Sequence, residues 1–114
     1  MTQVSDPKLT VITTAISDLK GRDVITLDVR TQSTEMDFIV IATGTSIQHI
    51  GRIAKHVNEQ IKLQKLSVHP IEGEGTEWLL VDADEAVVHI MSQSAREFYQ
   101  LEKLWNMHTS LNAC

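Results

Sequence analysis

The chain has little of several residue types, and each shortage argues against a class of protein. It holds a single cysteine, Cys114, so a disulfide within the chain is excluded, which favours a reducing, cytoplasmic setting. Its apolar runs are short, whereas a bilayer span needs roughly 20 apolar residues, so we expect no membrane segment. The first residues, MTQVSDPK, lack the basic start and apolar block of a secretory signal, so we expect none.

Positive charge is also scarce. The chain has 10 Lys and Arg against 15 Asp and Glu, which gives a formal net charge of −5 at pH 7. A protein that holds nucleic acid by its phosphates needs a basic patch. We therefore expect little direct nucleic-acid binding, and the partner that an acidic domain attracts more readily is a basic protein.

The first half of the chain alternates helix and strand signals. Asp6 as N-cap and Pro7 at the first helical position open a helix, and Gly21 ends it. Residues 23–30 alternate β-branched and polar side chains and predict a strand. Residues 37–43 form a nearly continuous apolar run, which is typical of a central strand that is buried on both faces.

The second half continues the alternation. Thr45 and Gln48 fit a capping box that opens a second helix, whose apolar face consists of Ile47, Ile50, Ala54, Val57 and Ile61. Residues 66–71 predict a short edge strand because Pro70 interrupts them. Residues 78–81 and 86–91 predict two more strands around a tight acidic turn.

A capping box at Ser94 and Glu97 opens the last helix, and residues 106–114 are expected to form a frayed tail. The order α-β-β-α-β-β-β-α in 114 residues predicts a single α/β domain with its core at about residues 6–105. We expect a mixed five-stranded sheet flanked by helices, since some connections are as short as hairpins.

Aromatic residues concentrate between residues 78 and 105, which hold both tryptophans and the only tyrosine. Phe98, Leu101 and Trp105 space as a core-facing stripe of the last helix, and Tyr99 lies at the margin of that stripe. Trp78 begins a strand beside a glycine-rich loop. For Trp78 and Tyr99, burial in the core and exposure at an interface with another macromolecule remain equal alternatives.

The turn at Gly44, Thr45 and Ser46 is the best candidate for a small-ligand site. Helix N-termini attract phosphate, and nucleotidyltransferases place a Gly-Ser pair at such a turn. Those enzymes also need carboxylates that converge on Mg²⁺, usually on the next strand, but residues 67–71 carry no acidic side chain. Asp28 and Asp37 lie on earlier strands. We therefore favour ordinary helix capping and predict no enzyme and no cofactor, with a residual nucleotide-binding domain as the alternative.

Metal binding has weak support in the sequence. The acidic residues near the last turn lack the spacing of a calcium loop and predict a solvated rim that attracts a basic partner; they are Glu72, Glu74, Glu77, Asp82, Asp84 and Glu85. His49 and His56 lie about two helical turns apart, too far to share an ion without further ligands. We expect no metal site and no nucleophilic role for Cys114.

The chain resembles the ribosomal silencing factor family, RsfS, which is also called Iojap-like or YbeB-like. The resemblance covers about residues 9–105 and lies in the segments DLKGRDVITLDVR, DFIVIATGTSIQHI, IEGEGTEWLLVDADEAVVHIM and REFYQLEKLW, in the same order and spacing. At the acidic turn the family commonly has a glycine where this chain has Asp84. Asp tolerates a positive φ better than most residues, so we expect the turn to be kept.

The resemblance implies a non-enzymatic translation regulator with a nucleotidyltransferase-like fold that lacks the catalytic carboxylates. It implies binding to the large ribosomal subunit through its protein fourteen, a steric block of joining with the small subunit, and repression under nutrient limitation. A role in large-subunit assembly is the alternative, and the free protein is expected to be a homodimer. We assign the contact with the ribosomal protein to Trp78, His89, Met91, Arg96, Tyr99 and Lys103.

Overall fold

The structure, a computed structural model, describes residues 7–101 and Lys103. In chain order its elements are α1 (Pro7–Asp18), β1 (Arg22–Asp28), β2 (Phe38–Thr43), α2 (Ile47–Leu63), β3 (Trp78–Ala83), β4 (Ala86–Met91) and α3 (Gln93–Tyr99). Four predictions fall outside the described residues: the Asp6 cap, the core position of Trp105, the frayed tail and the absence of a nucleophilic role for Cys114. None of the described helices has the length and apolar character that crossing a membrane requires.

The strands form one mixed sheet in the order β1-β2-β4-β3. β2 and β4 run parallel, while β1 with β2 and β3 with β4 are antiparallel. β2 lies inside the sheet and every one of its residues is buried, as its continuous apolar run predicted. Because the central pair is parallel, the carboxyl ends of β2 and β4 meet at one edge of the sheet, where Thr43 pairs with Met91.

The predicted fifth strand at residues 66–71 is not formed, so the prediction of five strands was wrong. This segment runs beside β3 with only a few backbone bonds: His69 N–H donates to Asp82 O at 2.8 Å, and Glu72 exchanges two bonds with Leu80. Pro70 lacks an N–H group, so the ladder cannot continue between these contacts. The segment therefore covers the edge of β3 without becoming a strand.

Two helices begin at other residues than the capping boxes predicted. Ser46, rather than Thr45, caps α2, since its Oγ accepts the N–H of His49 at 3.0 Å. Ser92, rather than Ser94, caps α3 and accepts the N–H of Ala95 at 3.0 Å. β4 ends directly before Ser92 and β2 ends three residues before Ser46, and each capping serine keeps an extended backbone.

The end of α1 also differs in detail from the prediction. Lys20, and not Gly21, takes the left-handed conformation, with φ of 63°. Gly21 N–H donates to Ile16 O at 2.9 Å, which closes the helix end. Glycine is still required at this position because a Cβ on Gly21 would lie 2.4 Å from Cγ2 of the buried Ile16.

The two faces of the sheet are covered unequally. α1 and α2 pack on one face in a large core that includes Ile12, Ile16, Val40, Ile53 and Ile90. The alternate residues of β2, Ile39 and Ile41, point to the opposite face and join a smaller cluster with Leu27, Val29, Met91 and Ala95. Of the described helices, α3 is the one that contributes to this second cluster, which leaves part of its face open beside α3.

Candidate functional site: an aromatic surface beside α3

Trp78 and His89 form the fixed part of the candidate site. Both project from the sheet face that carries the second cluster, and Trp78 packs partly buried against that cluster. Indole Nε1–H donates to His89 Nδ1 at 2.9 Å, and the ring centroids lie 5.8 Å apart. Burial lowers the pKa of His89 to about 4, so the ring is neutral at pH 7 and Nδ1 stays a hydrogen-bond acceptor. The pair therefore holds the indole in one orientation.

α3 places two more aromatic rings beside this pair. The Tyr99 ring lies 4.6 Å from the Trp78 ring, and Phe98 meets Tyr99 edge-on at 4.9 Å and 86°. Tyr99 is 51% exposed and Phe98 is 80% exposed. We call Trp78, His89, Phe98 and Tyr99 the aromatic surface. Exposed rings that contact one another on a fixed support are typical of a docking surface for a macromolecule.

The exposure of Phe98 contradicts its predicted place on a core-facing stripe. α3 ends at Tyr99, and Gln100 turns the chain with a left-handed φ of 50°. The helical spacing that joins Phe98 to Leu101 is therefore interrupted between them. Leu101 packs against the second cluster as expected, while Phe98 points outward. No local signal predicts this early helix end, because Gln100 is an ordinary helix-forming residue.

The aromatic surface borders an open groove with a volume of ≈ 570 Å³. The residues that line the groove are Thr76, Glu77, Trp78, Ser94, Ala95, Phe98 and Tyr99. The lining combines three aromatic rings, from the start of β3 and from α3, with small or polar side chains. A groove of this composition suits a polypeptide segment with an apolar anchor better than a small polar metabolite.

Two other residues assigned to partner binding lie inside the protein. Met91 is fully buried at the end of β4, and Arg96 is only 5% exposed. Arg96 Nη1–H donates to Thr43 Oγ1 at 2.7 Å and so ties α3 to the end of β2. Met91 belongs to the second cluster against which Trp78 packs, whereas Lys103 is exposed. The structure thus brings Trp78, His89 and Tyr99 together and places Met91 and Arg96 in the interior.

Glu77, which the sequence assigned only to the acidic rim, also has a supporting role. Its Oε1 accepts the Ser92 hydroxyl at 2.5 Å, and its backbone oxygen accepts the N–H of Ser92 at 2.9 Å. Ser92 caps α3, and Glu77 directly precedes Trp78. One contact therefore joins the start of β3, with its tryptophan, to the helix that carries Tyr99. Adjacency to Trp78 was the only sequence signal for this role.

The turn at residues 44–46 borders a second cavity, of ≈ 670 Å³, at the carboxyl ends of β2 and β4. Asp28 pairs with Phe38 at the opposite end of β2, a separation of about 20 Å for a six-residue strand, and Asp37 precedes that strand. Asp28 is also engaged by Arg30, whose hydrogen bond lowers the pKa of the Asp28 carboxyl. The convergence of Asp28 and Asp37 on Ser46, which the nucleotide-binding alternative requires, is absent.

His49 stabilises the same turn through the two nitrogen atoms of its ring. Its Nε2 lies 2.7 Å from Leu19 O, and its Nδ1 lies 2.9 Å from Thr45 N. A ring that donates from Nε2 and accepts at Nδ1 satisfies both contacts, and it ties the start of α2 to the end of α1. Its role is therefore structural.

Comparison with known proteins decides the family. A family model described as "Ribosomal silencing factor during starvation" matches residues 2–113. The chain belongs to the ribosomal silencing factor family. The ribosomal silencing factor RsfS of Haemophilus influenzae is 41% identical over 91 residues, which cover 79% of this chain and 89% of that protein. The resemblance inferred from sequence segments is thereby confirmed, and the family description is that of a regulator of the ribosome.

A solved structure and a mitochondrial relative are also similar to this chain. The crystal structure of a Chromobacterium violaceum protein superposes with a TM-score of 0.84 at 32% identity, covering 87% of this chain and 83% of that one. The mouse "Mitochondrial assembly of ribosomal large subunit protein 1" is 33% identical over 93 residues, which are 78% of this chain and 41% of that protein. The family fold is thus a single α/β domain with a mixed sheet.

Proposed function

We propose that this chain binds the large ribosomal subunit in the cytoplasm and sterically prevents its joining with the small subunit, which lowers translation when nutrients are limiting. The protein contact is with protein fourteen of the large subunit, and the free chain is a homodimer. No chemical step takes part. The observation that carries the proposal is the aromatic surface, in which Phe98 and Tyr99 stay exposed on a rigid support of Trp78 and His89.

The energetic argument rests on the rings. Aromatic anchors at the centre of an interface each commonly contribute about 2 kcal/mol or more, because their large apolar area loses its water on docking. Tyr99 and Phe98 contact each other and Tyr99 contacts Trp78, so the rings are preorganised and little rotamer entropy is lost on binding. A rigid apolar surface of this kind suits a steric block, for which tight docking is sufficient.

The negative charge of the chain supports the proposal that its partner is basic. Glu77 lies beside the groove, and Glu97 is exposed on α3, where its Oε2 accepts a hydrogen bond from Gln93 at 2.8 Å. The formal net charge of the chain is −5. Acidic residues around an apolar patch raise the rate of encounter with a basic protein, and this effect weakens as salt screens the charges.

Cosedimentation tests the proposal directly. Tagged protein should travel with free large subunits in a sucrose gradient rather than with joined ribosomes. Tyr99→Ala and Phe98→Ala should reduce the bound fraction, since each removes an exposed ring. The matched control is Leu63→Ala, which truncates a 69%-exposed apolar side chain at the end of α2. Equal loss in all three variants, or no loss in any, would reject the aromatic surface as the docking site.

Trp78 is a less selective probe than Tyr99. Its ring packs against the second cluster and its Nε1–H bonds to His89, so Trp78→Ala removes core contacts as well as docking area. We expect this variant to lose both thermal stability and subunit binding, whereas Tyr99→Ala should lose mainly binding. Thermal melts beside the gradient separate the two effects.

Large-subunit assembly is the second candidate function, favoured by the name of the mouse relative. It predicts cosedimentation with large-subunit precursors and a slow accumulation of incomplete subunits when the protein is depleted. Residual nucleotidyltransferase chemistry has less support, because Asp28 and Asp37 lie at the far end of β2 from Ser46. We expect no Mg²⁺-dependent transfer from labelled nucleoside triphosphates, and the comparison with the nucleotidyltransferase fold stays a prediction.

A further inference from the structure

A histidine and two carboxylates converge at the turn between β3 and β4, away from the aromatic surface. His69 lies in the segment that follows α2, Asp82 lies on β3, and Asp84 lies in the turn. Each offers one ligand atom, and the three ligand atoms all lie within 4.8 Å of one another. This group is the only such three-residue set among residues 7–101 and Lys103.

The backbone fixes the group. His69 N–H donates to Asp82 O at 2.8 Å, and Asp84 N–H donates to Asp82 Oδ1 at 2.9 Å. His69 Nε2 lies 2.7 Å from Asp84 Oδ1. Two ligands of one ion at about 2.0–2.2 Å each can stand at most about 4.4 Å apart, so only small side-chain rotations are needed to share an ion.

We propose that His69, Asp82 and Asp84 bind a divalent transition-metal ion of the Zn²⁺ type, with water completing its coordination. An imidazole nitrogen with two carboxylate oxygens is a donor set that suits Zn²⁺, whereas Mg²⁺ and Ca²⁺ prefer oxygen ligands alone. His69 and Asp84 are exposed, so water can reach the ion. The nitrogen ligand and its separate chain segment distinguish this group from a solvated acidic rim.

The charges around the group favour a cation. Asp82, Asp84 and Glu72 all act on His69 as nearby negative charges. The facing positive charge is Lys8, but its Nζ already donates to Ser67 O and Ala83 O and pairs with Glu85 at 3.1 Å. These contacts hold the Lys8 ammonium group elsewhere, so it does not compete with an ion for the carboxylates of Asp82 and Asp84.

The structure also offers a matched control. His56 Nε2 lies 3.1 Å from Asp18 Oδ2 on the α1–α2 side of the protein. This pair repeats the histidine–carboxylate contact of His69 and Asp84, but no second carboxylate of the described chain completes a three-ligand group with it. Zn²⁺ should therefore bind at His69 and Asp84 and should not bind at His56 and Asp18.

Calorimetric titration of the full-length protein with ZnCl₂ at neutral pH tests the proposal, with MgCl₂ as the comparison salt. We expect one saturable Zn²⁺ site that His69→Gln and Asp82→Asn each weaken by about tenfold or more, while His56→Gln leaves it unchanged. Asp82→Asn keeps an oxygen that can accept the Asp84 N–H, and metal-free melts verify that each variant is folded. The absence of saturable binding, or equal binding by wild type and His69→Gln, would overturn the proposal.

Discussion

Lys8 joins three parts of the chain through one buried ammonium group. Its Nζ donates to Ser67 O at 3.0 Å and to Ala83 O at 2.9 Å, and it pairs with Glu85 at 3.1 Å. The Lys8 side chain is only 5% exposed. These contacts fasten α1 to the turn between β3 and β4 and to the segment after α2. Such a contact is invisible to pattern reasoning, which assigns a lysine to the surface unless a distant partner is known.

Lys8→Met tests this contact because methionine keeps most of the side-chain volume and removes the donor. We expect a loss of about 1–3 kcal/mol in the free energy of unfolding, since buried carbonyl groups are left without their partner. Urea denaturation measures the loss. Lys55→Met, at an exposed position of α2, is the control and should stay within about 0.5 kcal/mol of wild type. Equal values for both variants would contradict the assignment.

The His69–Asp84 pair predicts a pH dependence in metal-free buffer. The Asp84 hydrogen bond raises the pKa of His69 from 6.5, so the stabilisation is full below pH 6.5 and is lost as pH rises through the raised value. The Asp84 pKa is lowered from 3.8, mainly by hydrogen bonds from Ser67 and His69, so that contribution is lost as pH falls through the lowered value. The pair therefore stabilises the protein most at pH values between the lowered pKa of Asp84 and the raised pKa of His69.

An NMR titration of the histidine rings checks this prediction. His69 should titrate above 6.5 in the wild type, and Asp84→Asn should return its pKa toward that value. His56, whose partner Asp18 is unchanged in the variant, provides the internal reference. A His69 pKa that is the same in wild type and in Asp84→Asn would show that the contact does not form in solution.

At the scale of elements, sequence reasoning placed the helices and the four strands and failed at their ends. β2 and α2 were predictable because a continuous apolar run and a helical apolar face are strong periodic signals. The predicted capping residues differ from the observed ones because the choice between neighbouring Ser and Thr residues depends on where the preceding strand ends. The prediction of a strand at residues 66–71 failed because Pro70 has no N–H group to donate the hydrogen bond that a strand would need.

The start of α3 gives the sharpest prediction at this scale. Ser92→Ala removes the cap and its contact with Glu77, so we expect about 1 kcal/mol less stability and weaker subunit binding, because α3 carries Tyr99. Ser94→Ala is the matched control, since the sequence favoured Ser94 as the cap. Thermal melts of both variants decide between the two caps, because Ser94 also lines the groove and its cosedimentation is not a neutral comparison. A larger effect at Ser94 would contradict the observed helix start.

For the molecule as a whole, the family and the α/β class followed from sequence, but the shape of the candidate site did not. Trp78 and Tyr99 could be singled out because aromatic residues are rare and clustered here. Met91 and Arg96 could not be placed, because their burial depends on how α3 folds back over the end of β2. Phe98 was misplaced because its apolar spacing implied a helix that continues to Trp105, whereas α3 ends at Tyr99.

The unequal cover of the sheet links the fold to the proposed action. Two helices seal one face, and the second face is left open beside α3, where the rings collect. A rigid domain that docks through such a surface blocks whatever must occupy the same face of its partner. Blocking and binding should then weaken in parallel when the rings are removed, since no separate step converts one into the other.

A light-scattering assay of subunit joining, run in both orders of addition, tests the central claim most directly. We expect that protein added to large subunits before small subunits reduces joining, and that protein added to joined ribosomes has much less effect because the docking face is then covered. Tyr99→Ala should lose inhibition in proportion to its lost binding, while Leu63→Ala should inhibit as wild type does. Equal inhibition in both orders, or intact binding without inhibition in either, would contradict a steric block.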